Sequence, residues 1–194
     1  AADQCLLRMV QVAAKPCYDV LALSCTFETQ IPAAIALTRR VIAARAGAGQ
    51  AAPHVILGGA ACSGDTAGAL CQAFPELTAV CHCEGERVIV PLAQALRGQR
   101  PLSSVPGIAF RDRGLIRRTA APAQIEDLDE LPVPDFAPYM VQHAQSAWQD
   151  TAPEIFFETS RGCWWGEKHL CTFCGLNADA LAFRRKIPAR ALSV

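Results

Sequence analysis

Short apolar runs alternate along this chain with longer stretches of helical periodicity. Residues 19–24 (Asp-Val-Leu-Ala-Leu-Ser) are apolar with a polar end, which predicts a parallel strand buried on both faces. Residues 54–59 (His-Val-Ile-Leu-Gly-Gly) and 77–81 (Leu-Thr-Ala-Val-Cys) predict two more strands. Between the first two, Ile31, Ile35, Thr38 and Ile42 recur at the spacing of a buried face, over a helix of about fifteen residues. Arg39, Arg40 and Arg45 lie towards its far end, where positive charge complements the helix dipole, and Ala-Gly-Ala-Gly at 46–49 stops it. Another helix runs through Gly68 to Phe74. The next carries Ile89, Leu92, Ala93 and Leu96 on one face and ends at Gly98. Ahead of all these, residues 4–14 read as a helix with Leu6, Leu7, Val10 and Ala14 together.

Strand and helix in alternation, joined by short loops, imply an α/β fold. The expected form is a partial doubly wound, Rossmann-like sheet with right-handed crossovers. Functional loops of such sheets lie at the carboxyl ends of the strands, so residues 24–29, 58–65 and 82–86 should share one rim. Only three strands are visible where such domains have about five. The pattern also opens midway, and residues 188–194 read as the first turn of an interrupted helix, so a fragment is expected.

Residues 105–111 and 115–119 flank Asp112-Arg113-Gly114, a hairpin signal with glycine where a positive φ is needed. The acidic segment 125–136 follows, and Pro132, Pro134 and Pro138 favour an extended linker. Weak helical character covers 139–149. Residues 155–157 (Ile-Phe-Phe) predict a buried strand, and residues 181–186 predict a short one. The expected organisation is therefore a Rossmann-like domain over 1–98, a hairpin and linker over 99–153, and the start of a second domain, a partial barrel, over 154–194.

Composition narrows the function classes. A hydrophobic fraction of 52% is ample for a core, and 18 basic residues balance 18 acidic ones, so no charge footprint points to nucleic acid or an anionic membrane. No apolar run approaches the ~18 residues that span a bilayer. Ten cysteines would form a disulfide framework in a short secreted chain. Here they are spread over an α/β pattern without a signal peptide ahead of it, and a cytoplasmic location is expected.

The candidate chemistry lies past Arg161-Gly162. Cys163 is followed by a gap of seven residues, then Cys171, then two more residues and Cys174. Three thiolates on one loop hold a metal centre with an open position more naturally than they pair as disulfides. A structural zinc site with His169 as fourth ligand is the alternative. Two details weigh against zinc: the loop leaves a strand that reads as core, and Phe173, Trp164 and Trp165 give the aromatic surround that suits an iron–sulfur cluster. Cys5, Cys17, Cys25, Cys62, Cys71, Cys81 and Cys83 read as small buried hydrophobes, although Cys25, Cys62 and Cys83 fall in the rim loops.

A strand ending in Arg161-Gly162-Cys163, with the later Cys171-Thr172-Phe173-Cys174, resembles the cluster loop of radical S-adenosylmethionine enzymes. The gap Trp-Trp-Gly-Glu-Lys-His-Leu, the Gly-Leu-Asn at 175–177, Ser-Cys-Thr-Phe-Glu at 24–28, Gly-Gly-Ala-Ala-Cys-Ser-Gly-Asp at 58–65 and Glu-Gly-Glu at 84–86 sharpen the likeness. Together they are similar to the cobalamin-dependent radical enzymes that mature ribosomally synthesised peptides, chiefly C-methyltransferases. The resemblance covers nearly the whole chain.

By that resemblance Cys163, Cys171 and Cys174 would each ligate one iron of a [4Fe–4S] cluster. The fourth iron would chelate S-adenosylmethionine, with Phe173 near the adenine. Cleavage of the sulfonium would give a 5′-deoxyadenosyl radical that takes hydrogen from an unactivated carbon, and methylcobalamin would deliver the methyl group. The cobalamin contacts implied are Ser24, Thr26, Glu28, Gly58, Gly59, Cys62, Ser63, Asp65, Glu84, Gly85 and Glu86. For these the plain alternatives are an ordinary strand-to-helix turn at Gly58 and Gly59, a helix cap at Asp65, and a charge pair favouring a helix amino terminus at Glu84 and Glu86. The partners implied are a precursor peptide and an electron donor such as flavodoxin or ferredoxin, with neither nucleic acid nor membrane. A different radical step with the same cofactors, cyclisation or rearrangement, is the second reading, and a zinc-binding non-enzymatic module the third. One departure from many cobalamin domains is plain: none of His54, His82, His143 and His169 sits in Asp-x-His-x-x-Gly, so no lower cobalt ligand is assigned.

Overall fold

The computed structural model describes residues 2–169, 171, 172, 174 and 182–191, which divide into two compact units, 1–124 and 125–194. The first unit is a sheet of five strands in the order β1 (Val20–Ser24), β2 (His54–Gly58), β3 (Ala79–Cys81), β4 (Ile108–Asp112) and β5 (Leu115–Arg118). β1, β2 and β3 are parallel, in register from Val20 opposite His54 to Ser24 opposite Gly58, and β4 and β5 continue the sheet antiparallel. The helices are α1 (Ala2–Ala13), α2 (Ile31–Gly47), α3 (Thr66–Ala73) and α4 (Ile89–Leu96).

Alternation along the central strands divides the core into two layers. Val55 and Leu57 of β2, Val80 of β3 and Ala109 of β4 join Ile35 of α2 and Leu70 of α3 on one face. Ile56, Ala79, Cys81, Ile108 and Phe110 point the other way and pack with Val88, Leu92 and Val105. Because successive side chains of a strand face opposite sides, these continuous apolar runs require cover on both, as a doubly wound sheet provides. The α/β fold class expected from the alternation is the one observed.

Several elements differ from expectation for identifiable reasons. β1 is an edge strand, not one buried on both faces: Leu21 and Leu23 are half-buried, whereas Val20, Ala22 and Ser24 are exposed. Arg45 lies in the last turn of α2, where a positive charge is expected, but not on its exposed side. It is buried, and its guanidinium donates to the Tyr18 carbonyl. In α1, Leu6 and Val10 are half-buried and Leu7 is exposed. The buried stripe of α4 is turned from the expected one, with Val88, Leu92, Ala95 and Leu96 inward and Ile89 exposed.

The largest difference concerns the hairpin. Its turn is as expected, with Arg113 at φ 51° and Gly114 at φ 85°, the two positive values of a tight two-residue connection. Yet it does not stand apart with the linker. β4 pairs with β3 through Ala79–Phe110, Val80–Ala109 and Cys81–Ile108, and this brings the hairpin into the sheet of the first unit. The antiparallel strand extends an edge that would otherwise leave unpaired backbone groups beside a fully buried β3.

In the second unit a turn at Leu128–Glu130 precedes the irregular proline segment, and then come α5 (Ala137–Ala144), β6 (Ser160–Arg161), β7 (Arg184–Arg185) and α6 (Pro188–Ala191). β6 and β7 are antiparallel and only two residues long. The apolar run at 155–157 is not the expected buried strand. It has no strand pairing among the described residues, and Phe156 is 86% exposed. Among the described residues no helix is long and apolar enough to cross a membrane.

Candidate functional site

The three expected rim loops do leave the carboxyl ends of β1, β2 and β3, and the first two are joined directly. The Cys25 amide donates to the Gly58 carbonyl at 2.7 Å, and the Ala61 amide donates to the Cys25 carbonyl at 3.1 Å. Gly59, at φ 96°, makes this approach feasible, since a Cβ there would stand 2.4 Å from the Cys25 oxygen. The steric role of Gly59 is thus to fit loop against loop. Gln30 fixes the first loop, its Oε1 accepting from the amides of Thr26 (2.7 Å) and Phe27 (3.0 Å).

On this scaffold Ser24, Thr26, Glu28, Gly59, Asp65, Gly85 and Glu86 are exposed, and Gly58, Ser63 and Glu84 are half-buried. Phe27 stands among them as a largely exposed aromatic. Cys62 is placed differently from expectation. It is fully buried with its thiol 3.4 Å from the Gly58 carbonyl, inside the rim and not on its open side. Burial, with the neighbouring thiols of Cys25, Cys81 and Cys71 adding to it, pushes the Cys62 thiol up to about 12. Asp65 precedes α3 without capping it, and its carboxylate instead takes Arg118 Nη1 of β5 at 2.5 Å. The Ser63 hydroxyl donates to the Ala60 carbonyl at 2.8 Å.

The third loop is stitched to the hairpin. The His82 amide donates to the Gly107 carbonyl at 3.0 Å, and the His82 ring meets the Thr119 carbonyl at 3.1 Å. Arg87 donates to the Ala123 carbonyl at 3.1 Å. Gln30, Gly107 and Arg118 are therefore shaping residues that motif reading does not reach, and His82, at the head of the third rim loop, acts as an anchor. Only Gln30, three residues after Phe27 and just ahead of a helix, left a local signal.

The cysteine loop follows β6. Gly162, at φ 76°, turns the chain into it, and the Gly166 amide donates to Cys163 Sγ at 3.3 Å. The Glu167 amide reaches the Cys163 carbonyl, and those of Lys168 and His169 reach Trp165, which winds residues 163–169 into a compact turn. Trp164 and Trp165 pack edge to face at 5.8 Å, the His169 ring lies 4.9 Å from Trp165, and Lys168 sits over Trp164. Glu167 Oε1 accepts from the Phe183 amide at 2.5 Å and ties this turn to the approach of β7. The Cys174 amide donates to the Cys171 carbonyl at 3.2 Å. Phe173 lies outside the described residues.

Among the described residues no three His, Cys, Asp or Glu side chains form a group that could hold a metal ion, Cys163, Cys171 and Cys174 included. Their donor chemistry nonetheless fits an iron–sulfur cluster: three thiols, one already accepting a backbone N–H, beside an aromatic pair. On the rim, nothing lies within 4 Å of where a Cβ would stand at Gly64 and Gly85.

No family model matches the chain. It is 30% identical over 117 residues to the anaerobic magnesium-protoporphyrin IX monomethyl ester cyclase of Synechocystis, a match over 60% of this chain and 22% of the cyclase. It is 29% identical over 100 residues to an uncharacterised methyltransferase of Pyrococcus horikoshii, over 52% of this chain and 20% of the relative. The chain thus spans about a fifth of the curated relatives it matches. Among solved structures, the cobalamin-dependent S-adenosylmethionine radical enzyme OxsB, with aqua-cobalamin and S-adenosylmethionine bound, superposes with a TM-score of 0.73 at 22% identity. That match covers 97% of this chain and 24% of OxsB. The radical S-adenosylmethionine methyltransferase TsrM of Kitasatospora setae, with tryptophan substrate and an S-adenosylmethionine analogue bound, gives 0.59 at 15% identity, over 99% of this chain and 36% of that one. These likenesses establish a shared fold.

Proposed function

We propose that the chain is the cobalamin-binding domain and cluster loop of a cobalamin-dependent radical S-adenosylmethionine enzyme, a C-methyltransferase acting on a ribosomally synthesised peptide. The observation that carries this reading is one coincidence. A chain whose fold follows OxsB almost end to end also carries Cys163, Cys171 and Cys174 on a loop wound tightly by its own backbone. Two relatives whose names include methyltransferase favour methyl transfer over other radical steps.

In this reading Cys163, Cys171 and Cys174 hold a [4Fe–4S] cluster, and the rim loops, with Ser24, Thr26, Glu28, Gly58, Gly59, Ser63, Asp65, Glu84, Gly85 and Glu86, receive cobalamin. When bound, the cluster with S-adenosylmethionine supplies radical chemistry and cobalamin supplies a methyl group. The protein's own part is placement. The Gly166 amide donates to Cys163 Sγ and so fixes where that sulfur stands in the turn. The Trp164–Trp165 pair keeps one side of the turn apolar, and Gln30 and Gly59 preset two of the three rim loops. Phe173 is proposed near the adenine. A flavodoxin or ferredoxin is proposed as electron donor, and the cytoplasm as the location.

A second reading, ring closure or rearrangement on a peptide or small molecule, is favoured by the match to a cyclase. The two are separated by supplying the full-length protein, under anaerobic reduction, with cobalamin, candidate precursor peptide and S-adenosylmethionine labelled in its methyl group. Label on a peptide carbon together with 5′-deoxyadenosine is the expected result. An unlabelled product, two hydrogens lighter for ring closure or of unchanged mass for rearrangement, supports the second reading, and no cleavage of S-adenosylmethionine overturns both.

A further inference from the structure

The proposed chemistry leaves Cys81 and Cys83 without a task, yet the fold brings the two together. Cys81 ends β3 opposite Ile108, and the chain bends at residue 83. Residues two apart are separated by at most about 7 Å between Cα atoms even when extended, and a disulfide closes only within about that limit. The bend shortens the span. Both side chains pack in the same buried layer, and Cys81 Sγ lies 3.4 Å from the Cys83 carbonyl. Cys83 Sγ in turn lies 3.7 Å from the Gly107 carbonyl.

Gly107 makes the space for this pair. Its φ is 69°, and a Cβ there would stand 2.2 Å from Cys83 Sγ, so the thiol occupies a niche that any larger residue would fill. Burial is graded across the pair: Cys81 is 8% exposed and Cys83 is half-buried. The hydrogen bond from Cys83 draws the Cys81 thiol down to about 7, against the burial that opposes it. Cys83 is pushed up by giving that hydrogen bond, by its burial and by the charge of Cys81. Cys62 and Cys71, raised chiefly by burial to about 12 and about 11, lack that activation.

We propose that Cys81 and Cys83 form a reversible dithiol–disulfide pair, oxidised by a small disulfide of the glutathione class. A thiolate of the pair attacks one sulfur of glutathione disulfide and expels a glutathione thiolate. The remaining thiol loses its proton to solvent, and its sulfur attacks the mixed disulfide and expels the second glutathione. Two protein thiols are oxidised, one protein S–S bond forms, and one glutathione disulfide is reduced to two glutathione thiols. So short a ring is strained, which makes the bond easily reduced and the change reversible. Its closure withdraws Cys83 Sγ from the Gly107 carbonyl and so alters the anchoring of loop 82–86. The proposal does not depend on the cofactor reading.

The test uses the full chain, reduced and then equilibrated with glutathione disulfide, with peptide mapping of the product. A bond between Cys81 and Cys83, reopened by reduced glutathione, is the expected result. In a Cys163→Ser, Cys171→Ser, Cys174→Ser background, phenylarsine oxide should bind one to one, and Cys83→Ser should abolish that binding. The proposal is overturned if Cys81 and Cys83 remain reduced, or if either of them bonds elsewhere, such as Cys81 to Cys62. Failure of phenylarsine oxide to bind the background variant would equally overturn it.

Discussion

Gly59 holds its α-carbon so near Cys25 that a side chain at Gly59 would meet the backbone nitrogen, carbon and oxygen of Cys25, all within 2.8 Å. The ends of β1 and β2 are thereby fitted into one surface. Gly59→Ala adds backbone overlap to the strain of φ 96°, and a loss of about 3 kcal/mol or more is expected. Gly64→Ala incurs the left-handed conformation alone, since nothing lies within 4 Å of its Cβ position, and about 1 kcal/mol is expected. Urea titration of both variants checks the difference. Equal costs would mean that the two loops are not in contact.

The place of the hairpin in the sheet is tested by Phe110. This side chain is 4% exposed in the layer with Leu92 and Ile108, so Phe110→Ala should cost about 3–5 kcal/mol. Leu115, at the far end of the same hairpin, is 68% exposed, and Leu115→Ala should change stability by less than about 0.5 kcal/mol. A hairpin free of the sheet would make both substitutions nearly silent.

Buried thiols set an alkaline limit on the first unit. Cys62 and Cys71 have folded-state values of about 12 and about 11 against an ordinary 9.0. A raised acid favours the folded state fully below the unfolded value and loses that contribution as pH climbs through the folded one. Stability measured by urea midpoint should therefore decline from about pH 9 towards pH 12, and Cys62→Ala should flatten the decline. A midpoint constant over that window would contradict the burial of these groups.

What the sequence discloses depends on whether a feature is encoded locally. The run at 54–58 names β2 because its apolar residues must be covered on both faces, and Asp112-Arg113-Gly114 names its turn because two positive φ values are needed there. The pairing of β4 with β3 left no such mark, since an antiparallel neighbour is chosen by geometry across the sheet. Spacing alone predicts Ile89 inward, yet it is exposed, because spacing defines a stripe without fixing which side of it faces the sheet. At the candidate site, the sequence alone puts Cys163, Cys171 and Cys174 on one loop, and the backbone bonds that wind residues 163–169 show only in the structure. The anchoring of the rim by Gly107, Arg118 and Thr119 was not, because those residues are far from the loops in the chain.

The most direct test of the account measures metal and cobalamin on the same samples. The chain and its Cys163→Ala, Cys171→Ala, Cys174→Ala variant are purified anaerobically, reconstituted with iron and sulfide, and titrated with cobalamin. The account predicts about four irons per unmutated chain, background iron in the variant, and equal cobalamin binding by both. Stoichiometric zinc in the unmutated chain, or iron retained by the variant, would contradict it.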